Sequence, residues 1–372
     1  MKRLLLIDTT WPINSRSDRF RLSLMKKYDV KVSAWNRGAK NATSFKESFH
    51  VLEGDIKYGN RFKKLISLPK FIFHCLRVAK KENIDVIFAS HWDSLICAFL
   101  IKLIYKKNIK IIYDCLDLPT SHNKLILNVL NFIEKFCLRY TSLTIFASRF
   151  YVSLYDSKIN NVVFENYPSK NISNSYINPE WGDLVENIKK DKRKIISWIG
   201  VVRYPNILSN LLSVIEKLDV NLFVFGDGPS LDYLKELTIN KNLGNKVHFF
   251  GRYQQQDLAY IYEQTDYVWA AYPTLDYNSI YAISNKYFES NLFKTVPIFS
   301  KKTKMAENLK TFNNVLIVDE YNIEAVINNI SDALDAGVSD CKFKKYEPDL
   351  FWEEQEIKLF EALTLHGLLY DC

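Results

Sequence analysis

The sequence predicts an α/β protein of two doubly wound parallel-sheet domains facing one another across a cleft. Three observations carry that expectation. At 372 residues the chain is too long for one ordinary core and suits two. Short apolar runs alternate with longer helical patterns from end to end, as βαβ units require. A polar, loop-like stretch over 168–192 divides two such series.

Residues 3–8, 30–35, 85–89, 110–114 and 142–146 read as the strands of the first series. Helical spacing of apolar residues over 69–81, 94–107 and 122–140 fills the gaps. Residues 194–199, 220–225, 246–250, 267–271 and 315–318 read as the second set of strands. The last segment, 349–369, is helical with no strand after it. The expected division is a first domain over 1–170, a linker over 171–192 and a second domain over 193–345, followed by a terminal helix over 346–372 that returns to the first domain.

Composition excludes several classes. Hydrophobic residues at 48% and charged residues at 25% are globular values, which rules out a disordered chain. The apolar run 95–101 is far shorter than the roughly 20 residues of a membrane span. The run 4–7 stops at Asp8, so no cleaved signal peptide is expected. The six cysteines form no CxxC pair, and Cys75, Cys97, Cys115 and Cys137 sit in apolar surroundings as inert buried thiols do. A cytoplasmic protein is expected.

Charge is divided unevenly. Residues 1–180 hold 29 Lys and Arg against 15 Asp and Glu, whereas 181–372 hold 21 against 27. The segment from Lys57 to Lys81 contains eight basic residues and no acidic one. Such asymmetry points to an anionic partner for the first half.

Ligands of doubly wound sheets bind beyond the carboxyl ends of the strands, so the search narrows to those loops. Glycine is scarce, yet Gly200, Gly226, Gly228, Gly244 and Gly251 fall close together, three of them directly after strands. Glycine there lets backbone approach a ligand, and the next helix N-terminus offers free N–H groups to phosphate. A tight turn with a helix beginning at Pro229 explains the same residues without a ligand. No GxGxxG or GxxxxGK[ST] occurs, which removes the best support for nicotinamide enzymes and P-loop NTPases. Further on, Asp276, Tyr277, Asn278 and Ser279 form a polar loop, and Ser284 is placed to cap a helix through Asn285, Lys286, Tyr287, Phe288 and Glu289. A lysine in a first turn opposes the helix dipole unless an anion offsets it. Either Lys286 serves a phosphate or its ammonium swings into solvent, and Glu289 one turn on is either functional or exposed.

Five features in order resemble the nucleotide-sugar domain of GT-B glycosyltransferases of the family 4 type. They are Gly200 with Arg203; Val224-Phe225-Gly226-Asp227-Gly228-Pro229; Val247-His248-Phe249-Phe250-Gly251; Asp266 between a helix and a strand; and Asn285-Lys286-Tyr287-Phe288-Glu289 followed by Pro297. His91, Tyr113-Asp114 with Asp117, Ser148, and Glu165-Asn166-Tyr167-Pro168 resemble that family's first domain, and the terminal helix with Trp352 its returning segment. The resemblance spans nearly the whole chain and implies a bacterial capsule or O-antigen type of enzyme. It implies that Glu289 accepts the ribose hydroxyls and that Arg203 neutralises the departing diphosphate. It places Gly200, Gly228 and the loop 251–253 at the nucleotide, with Tyr253 against the base. Asn278, Ser279 and Lys286 join this donor set. His91 and Asp117 are implied near the sugar and the acceptor hydroxyl, Asp117 as the base if the reaction inverts. Retention is the outcome the resemblance favours.

Four departures stand out. The first glutamate of the family's paired-glutamate motif falls at Tyr281, and no lysine follows Arg203 over 205–209. Thr9-Thr10-Trp11-Pro12 replaces the glycine-rich loop after the first strand, and Leu116 stands where a histidine is common. There is no Asp-x-Asp and no Cys/His ligand spacing, so no metal and no cofactor are expected; Arg203, Lys286 and helix amides would stabilise the leaving group. The partners expected are a nucleotide-sugar donor, a glycan or polyprenyl-diphosphate-linked acceptor, and an anionic membrane face met by 57–81 from the cytoplasmic side. Rival readings are a nucleic-acid binder, a sugar-nucleotide epimerase and a non-catalytic scaffold. No nucleic-acid motif appears, so no nucleic-acid partner is expected.

Overall fold

The alternating apolar runs become the strands of two parallel sheets in the computed structural model, which describes residues 1–38, 47–54, 61–121, 123–173 and 178–369. Residues 57–60 of the basic segment and His122, the expected start of a helix, lie outside the described residues. The chain divides into two compact units, Met1–Glu165 with Glu354–Cys372, and Asn166–Glu353.

In the first unit β1 (Arg3–Asp8), α1 (Ser15–Leu24), β2 (Asp29–Asn36) and β3 (Phe49–Glu53) form one wing. Then α2 (Arg61–Lys81), β4 (Val86–Ser90), α3 (His91–Ile104), β5 (Lys110–Cys115), α4 (Lys124–Leu138), β6 (Leu143–Phe146) and β7 (Asn161–Val163) form the other. The strand order is β3-β2-β1-β4-β5-β6-β7, with the direction of winding reversing between β1 and β4. Leu4 pairs with Val30 on one side and Val86 on the other, and Leu4, Leu5, Leu6 and Ile7 are fully buried. Both faces of such a strand are covered, which is why its sequence is an unbroken apolar run rather than an alternation.

The second unit opens with α5 (Pro179–Lys189) and continues as β8 (Lys194–Ile199), α6 (Pro205–Lys217), β9 (Val220–Phe225), α7 (Leu231–Asn240) and β10 (Val247–Gly251). It goes on as α8 (Leu258–Glu263), β11 (Tyr267–Ala270), α9 (Tyr277–Tyr281), α10 (Asn285–Phe293) and β12 (Val296–Ser300). The unit closes with α11 (Lys304–Glu307), β13 (Leu316–Val318), α12 (Ile323–Asp335) and the start of α13 (Trp352–Leu365), whose remainder belongs to the first unit. Its order is β10-β9-β8-β11-β12-β13, so the reversal falls between β8 and β11.

Several expectations are corrected. Within the expected linker 171–192 stands a helix: α5 spans Pro179–Lys189, and Trp181 and Val185 pack into the second unit's core beside Phe225 and Phe250. Strands β3 and β7 went unread because they are short, partly exposed edge strands without a full apolar run, and β12, fully buried between β11 and β13, went unread because Pro297 interrupts its run. Helix α2 begins at Arg61 and runs through Pro69, where the sequence places a start. Helix α7 begins at Leu231, two residues beyond the expected Pro229. Cys75, Cys97, Cys115 and Cys137 are free and buried.

Polar groups concentrate at the carboxyl ends of the first unit's strands. Asn14 caps α1 by accepting from Ser17 N at 2.9 Å, and its amide donates to Asp8 at 2.6 Å. Arg16, in the first turn of α1, donates from Nε and Nη2 to Asp114 at the end of β5, at 3.0 and 2.9 Å. Its Nη2 also reaches Phe164 O at 2.7 Å, and the guanidinium lies 4.8 Å from the Phe20 ring centroid. Both charges are sealed from water. Asp114→Ala leaves that guanidinium buried without its carboxylate, and a loss of about 3–5 kcal/mol is expected in urea unfolding of the first unit.

Candidate active site

Three loops at the carboxyl edge of the second sheet are locked backbone to backbone. Gly200 N donates to Phe225 O at 2.9 Å, Val202 N to Asp227 O at 3.0 Å and Gly226 N to Gly251 O at 2.6 Å. A Cβ on Gly226, which has φ +145°, would stand 1.8 Å from Gly200 O; one on Gly228 would stand 2.3 Å from Val202 O. These two glycines are therefore demanded by the adjoining loop itself. Gly200 and Gly251 instead hold positive φ beside open space. Arg203 follows in the same loop after β8, its guanidinium 4.7 Å from the Tyr204 ring, and Tyr204 leads to Tyr272 with ring centroids 6.1 Å apart.

Behind this edge lies a buried charge cluster. Ser284 caps α10 by accepting from Lys286 N at 3.3 Å. The Lys286 ammonium neither reaches solvent nor stands free for a phosphate: it is buried and donates to Glu289 Oε2 at 2.6 Å. Tyr262, from α8, donates to the same oxygen at 2.8 Å. Burial pulls the Lys286 pKa down, but the Glu289 carboxylate, with Tyr253 and Tyr272 nearby, outweighs it and holds the ammonium above its ordinary value. Burial likewise pushes Tyr253 up and Tyr272 to about 12, against the opposing charge of Lys286. Tyr272 feels Lys286, Tyr253, Arg203 and Glu289 together, so the second unit brings these four candidates to one place.

Asn278 and Ser279 lie not in a loop but in α9, a single turn capped by Asp276, which accepts from Ser279 N at 2.8 Å. The Ser279 hydroxyl donates to Asp276 O at 2.8 Å, and Asn278 O accepts from Ala282 N at 2.8 Å. Tyr281, at the expected glutamate position, stacks on Tyr277 with centroids 6.0 Å apart beneath the Lys304 ammonium.

In the first unit His91 is the opening residue of α3, half-buried with φ 68°, and Asp117 is exposed in the loop after β5. Between the ends of β1 and β4 stands a group the sequence did not single out. Asp93 is buried, accepts from Thr9 Oγ1 at 3.0 Å and Ser94 N at 2.9 Å, and is paired with Lys64 from α2. Burial alone would raise its pKa; Lys64, His91 and Thr9 outweigh that and hold it below the ordinary carboxylate value. Among the described residues no three His, Cys, Asp or Glu side chains are grouped as a metal ion would need.

Residues 183–349 match the family model Glycosyl transferases group 1. The second unit carries a glycosyltransferase domain. No curated protein matches it by sequence. Among solved structures it is similar to sucrose-phosphate synthase from Thermosynechococcus elongatus, at 14% identity and TM-score 0.71, covering 99% of this chain and 100% of that one. Alr3699/HepE of Anabaena in complex with UDP gives 15% identity and TM-score 0.68, over 98% and 100%. The lipopolysaccharide outer core galactosyltransferase WaaB in its apo form gives 12% and 0.64, over 98% and 100%. The fold is GT-B, with its two Rossmann-like domains.

The groups missed by sequence reading are those whose partners are remote in the chain. Tyr262 and Tyr272 look like ordinary core aromatics, and Asp93 like a first-turn acid. Only Lys286 and Glu289, three apart on one helix, are readable as a pair. Lys286→Met strands a buried carboxylate and is expected to cost about 3–5 kcal/mol; adding Glu289→Leu should recover most of it, which a double-mutant cycle in urea measures. Asp93 gives a pH signature. Its lowered folded-state pKa contributes stability above the unfolded value, lost as pH falls through the folded one. Asp93→Asn should therefore flatten the acid limb of Tm plotted against pH.

Proposed function

We propose that the protein moves a sugar from a nucleoside-diphosphate donor to a lipid-linked surface glycan of the capsule or O-antigen kind, with retention and without a metal. The observation that carries this is the gathering of Arg203, Tyr253, Lys286 and Glu289 around Tyr272 beside the β8–β11 reversal, where doubly wound sheets bind their ligands. Glu289 is held through one oxygen. Lys286 and Tyr262 both donate to Oε2, and Oε1 has no hydrogen-bond partner among the described residues. A carboxylate fixed this way accepts a pair of ribose hydroxyls at little entropic cost. Tyr253 offers the base a ring at the edge of the same cluster.

Arg203 is the cation left for the diphosphate, since the charge of Lys286 is spent on Glu289. Negative charge grows on the leaving phosphate as the glycosidic bond breaks, and a fixed guanidinium with backbone N–H groups stabilises it there. Asp227, beside this loop, is occupied by Arg252 at 2.8 Å and by Gly228 N at 2.7 Å. In the first unit His91 and Asp117 are the groups proposed to meet the acceptor. The basic segment 57–81 is proposed to hold the enzyme at the membrane that carries it, on the cytoplasmic side.

UDP is the first nucleotide to try, because Alr3699/HepE is a structural neighbour solved with UDP. A ligand at 100 times its Kd adds about 2.7 kcal/mol of stability, a readable shift of Tm. Glu289→Gln removes the charge from the accepting oxygen and should weaken nucleotide binding about ten- to a hundredfold. Unchanged affinity in a folded Glu289→Gln protein removes Glu289 from the site. Absence of any shift with UDP, GDP, dTDP and CMP overturns the donor reading.

A further inference from the structure

The three helices α2, α3 and α4 carry outward charge of one sign. Together they hold ten Lys and Arg and two acids, Asp93 and Glu134. Both acids are buried and committed inward: Asp93 to Lys64 and Thr9, and Glu134 to Tyr113 at 2.6 Å and Tyr155 at 2.9 Å. No carboxylate of these helices reaches the surface among the described residues.

The same helices expose large apolar side chains. On α4, Leu125, Val129, Phe132 and Phe136 recur at helical spacing along one stripe, and Leu125 and Phe132 are 75% and 71% exposed. The inward side of α4 buries Glu134, Cys137 and Leu138 instead. A helix that merely roofs a sheet turns its apolar stripe inward; α4 leaves much of its own outside. On α2, Leu65 and Ile66 are similarly bare. Monomers rarely leave so contiguous an apolar surface without using it.

We propose that this face rests on an anionic lipid bilayer, with the apolar stripe of α4 inserted among the lipids and the lysines of α2 and α4 at the headgroups. The proposal builds on the lipid-linked acceptor reading and changes which element makes the contact. The basic segment supplies attraction, whereas α4 supplies the insertion. Charge complementarity selects the occupant. Eight of the ten cations are Lys, which is depleted at protein–protein interfaces but snorkels readily beside apolar surface in lipid. A second copy docked through the same patch would set lysines against lysines.

A cavity of about 460 Å³ opens between α2 and α4. Its wall includes Leu65 and Ile126, both also on the exposed apolar face, and its polar end holds Lys64, Asp93 and Ser121. Its lining includes Trp92, next in the chain to His91. An acceptor anchored in the bilayer thereby has an apolar slot leading toward the start of α3, which bears this candidate.

The test is co-sedimentation of the full chain with vesicles of phosphatidylcholine alone or with 30% phosphatidylglycerol, alongside light scattering and the UDP thermal shift. Wild type should bind the anionic vesicles only. Val129→Ser with Phe132→Ser should bind at least tenfold more weakly, keeping the wild-type Tm and UDP shift. Lys124→Gln with Lys135→Gln, which leaves the stripe intact, should weaken binding at low salt and make what remains less salt-dependent. Undiminished binding by the Ser pair overturns the proposal, as does a wild type that ignores both vesicles. A wild-type dimer that the Ser pair converts to a monomer assigns the face to a second copy and overturns it too. A missing UDP shift strikes the donor reading alone, and vesicle binding with transfer only to a soluble acceptor strikes the lipid-linked acceptor alone.

Discussion

Covering both faces of a parallel sheet leaves its polar chemistry nowhere to go but the strand ends, and this constraint organises both units. Once the interior is Leu, Ile, Val and Phe, a charge near it must bring its own partner. Among the described residues one device recurs, a buried carboxylate paired with a cation at a carboxyl edge: Asp114 with Arg16, Asp93 with Lys64, and Glu289 with Lys286. Each pair also receives neutral or backbone partners, from Phe164 O, Thr9 and Tyr262 respectively. Buried pairs of this kind are poor sources of net stability, but they set side chains in one orientation. At Glu289 that orientation leaves Oε1 without a hydrogen-bond partner among the described residues.

How far the sequence could be read follows from how far apart the deciding residues stand. Unbroken apolar runs betray buried parallel strands locally, so the two-domain arrangement and the central strands other than β12, whose run holds Pro297, were visible. The edge strands β3 and β7 were not, because half-exposed pairing leaves no run to see. Lys286 was visible as an oddity in a first helical turn, yet its fate depends on Glu289 being buried, and burial is a tertiary fact. Tyr262 and Tyr272 carry no local mark. Asp276, Asn278 and Ser279 look like a loop by composition, and become one helical turn because the Asp276 carboxylate and the Ser279 hydroxyl close a capping box.

The two halves of the charge distribution also separate by purpose. Most surplus cations of the first unit's helices point outward around an apolar face, while several of the second unit's are bound to acids. Lys194 lies between Asp266 and Asp340, and Arg193 beside Asp219. Net charge alone would not distinguish a surface poised for a partner from one already neutralised. The distinction comes from where the carboxylates are.

The interlocked loops after β8, β9 and β10 have one more consequence. Because Gly200, Gly226 and Gly251 are bonded to one another's strands through main chain, this edge is set without any ligand. Little ordering entropy is then left to spend at binding, so affinity depends on the side chains that line the edge. Those loops can also tolerate little change in length or path, since a single methyl at Gly226 would strike the next strand's exit. On the proposed reading, a change of donor would therefore come by exchanging side chains on a fixed frame, and not by remodelling the frame.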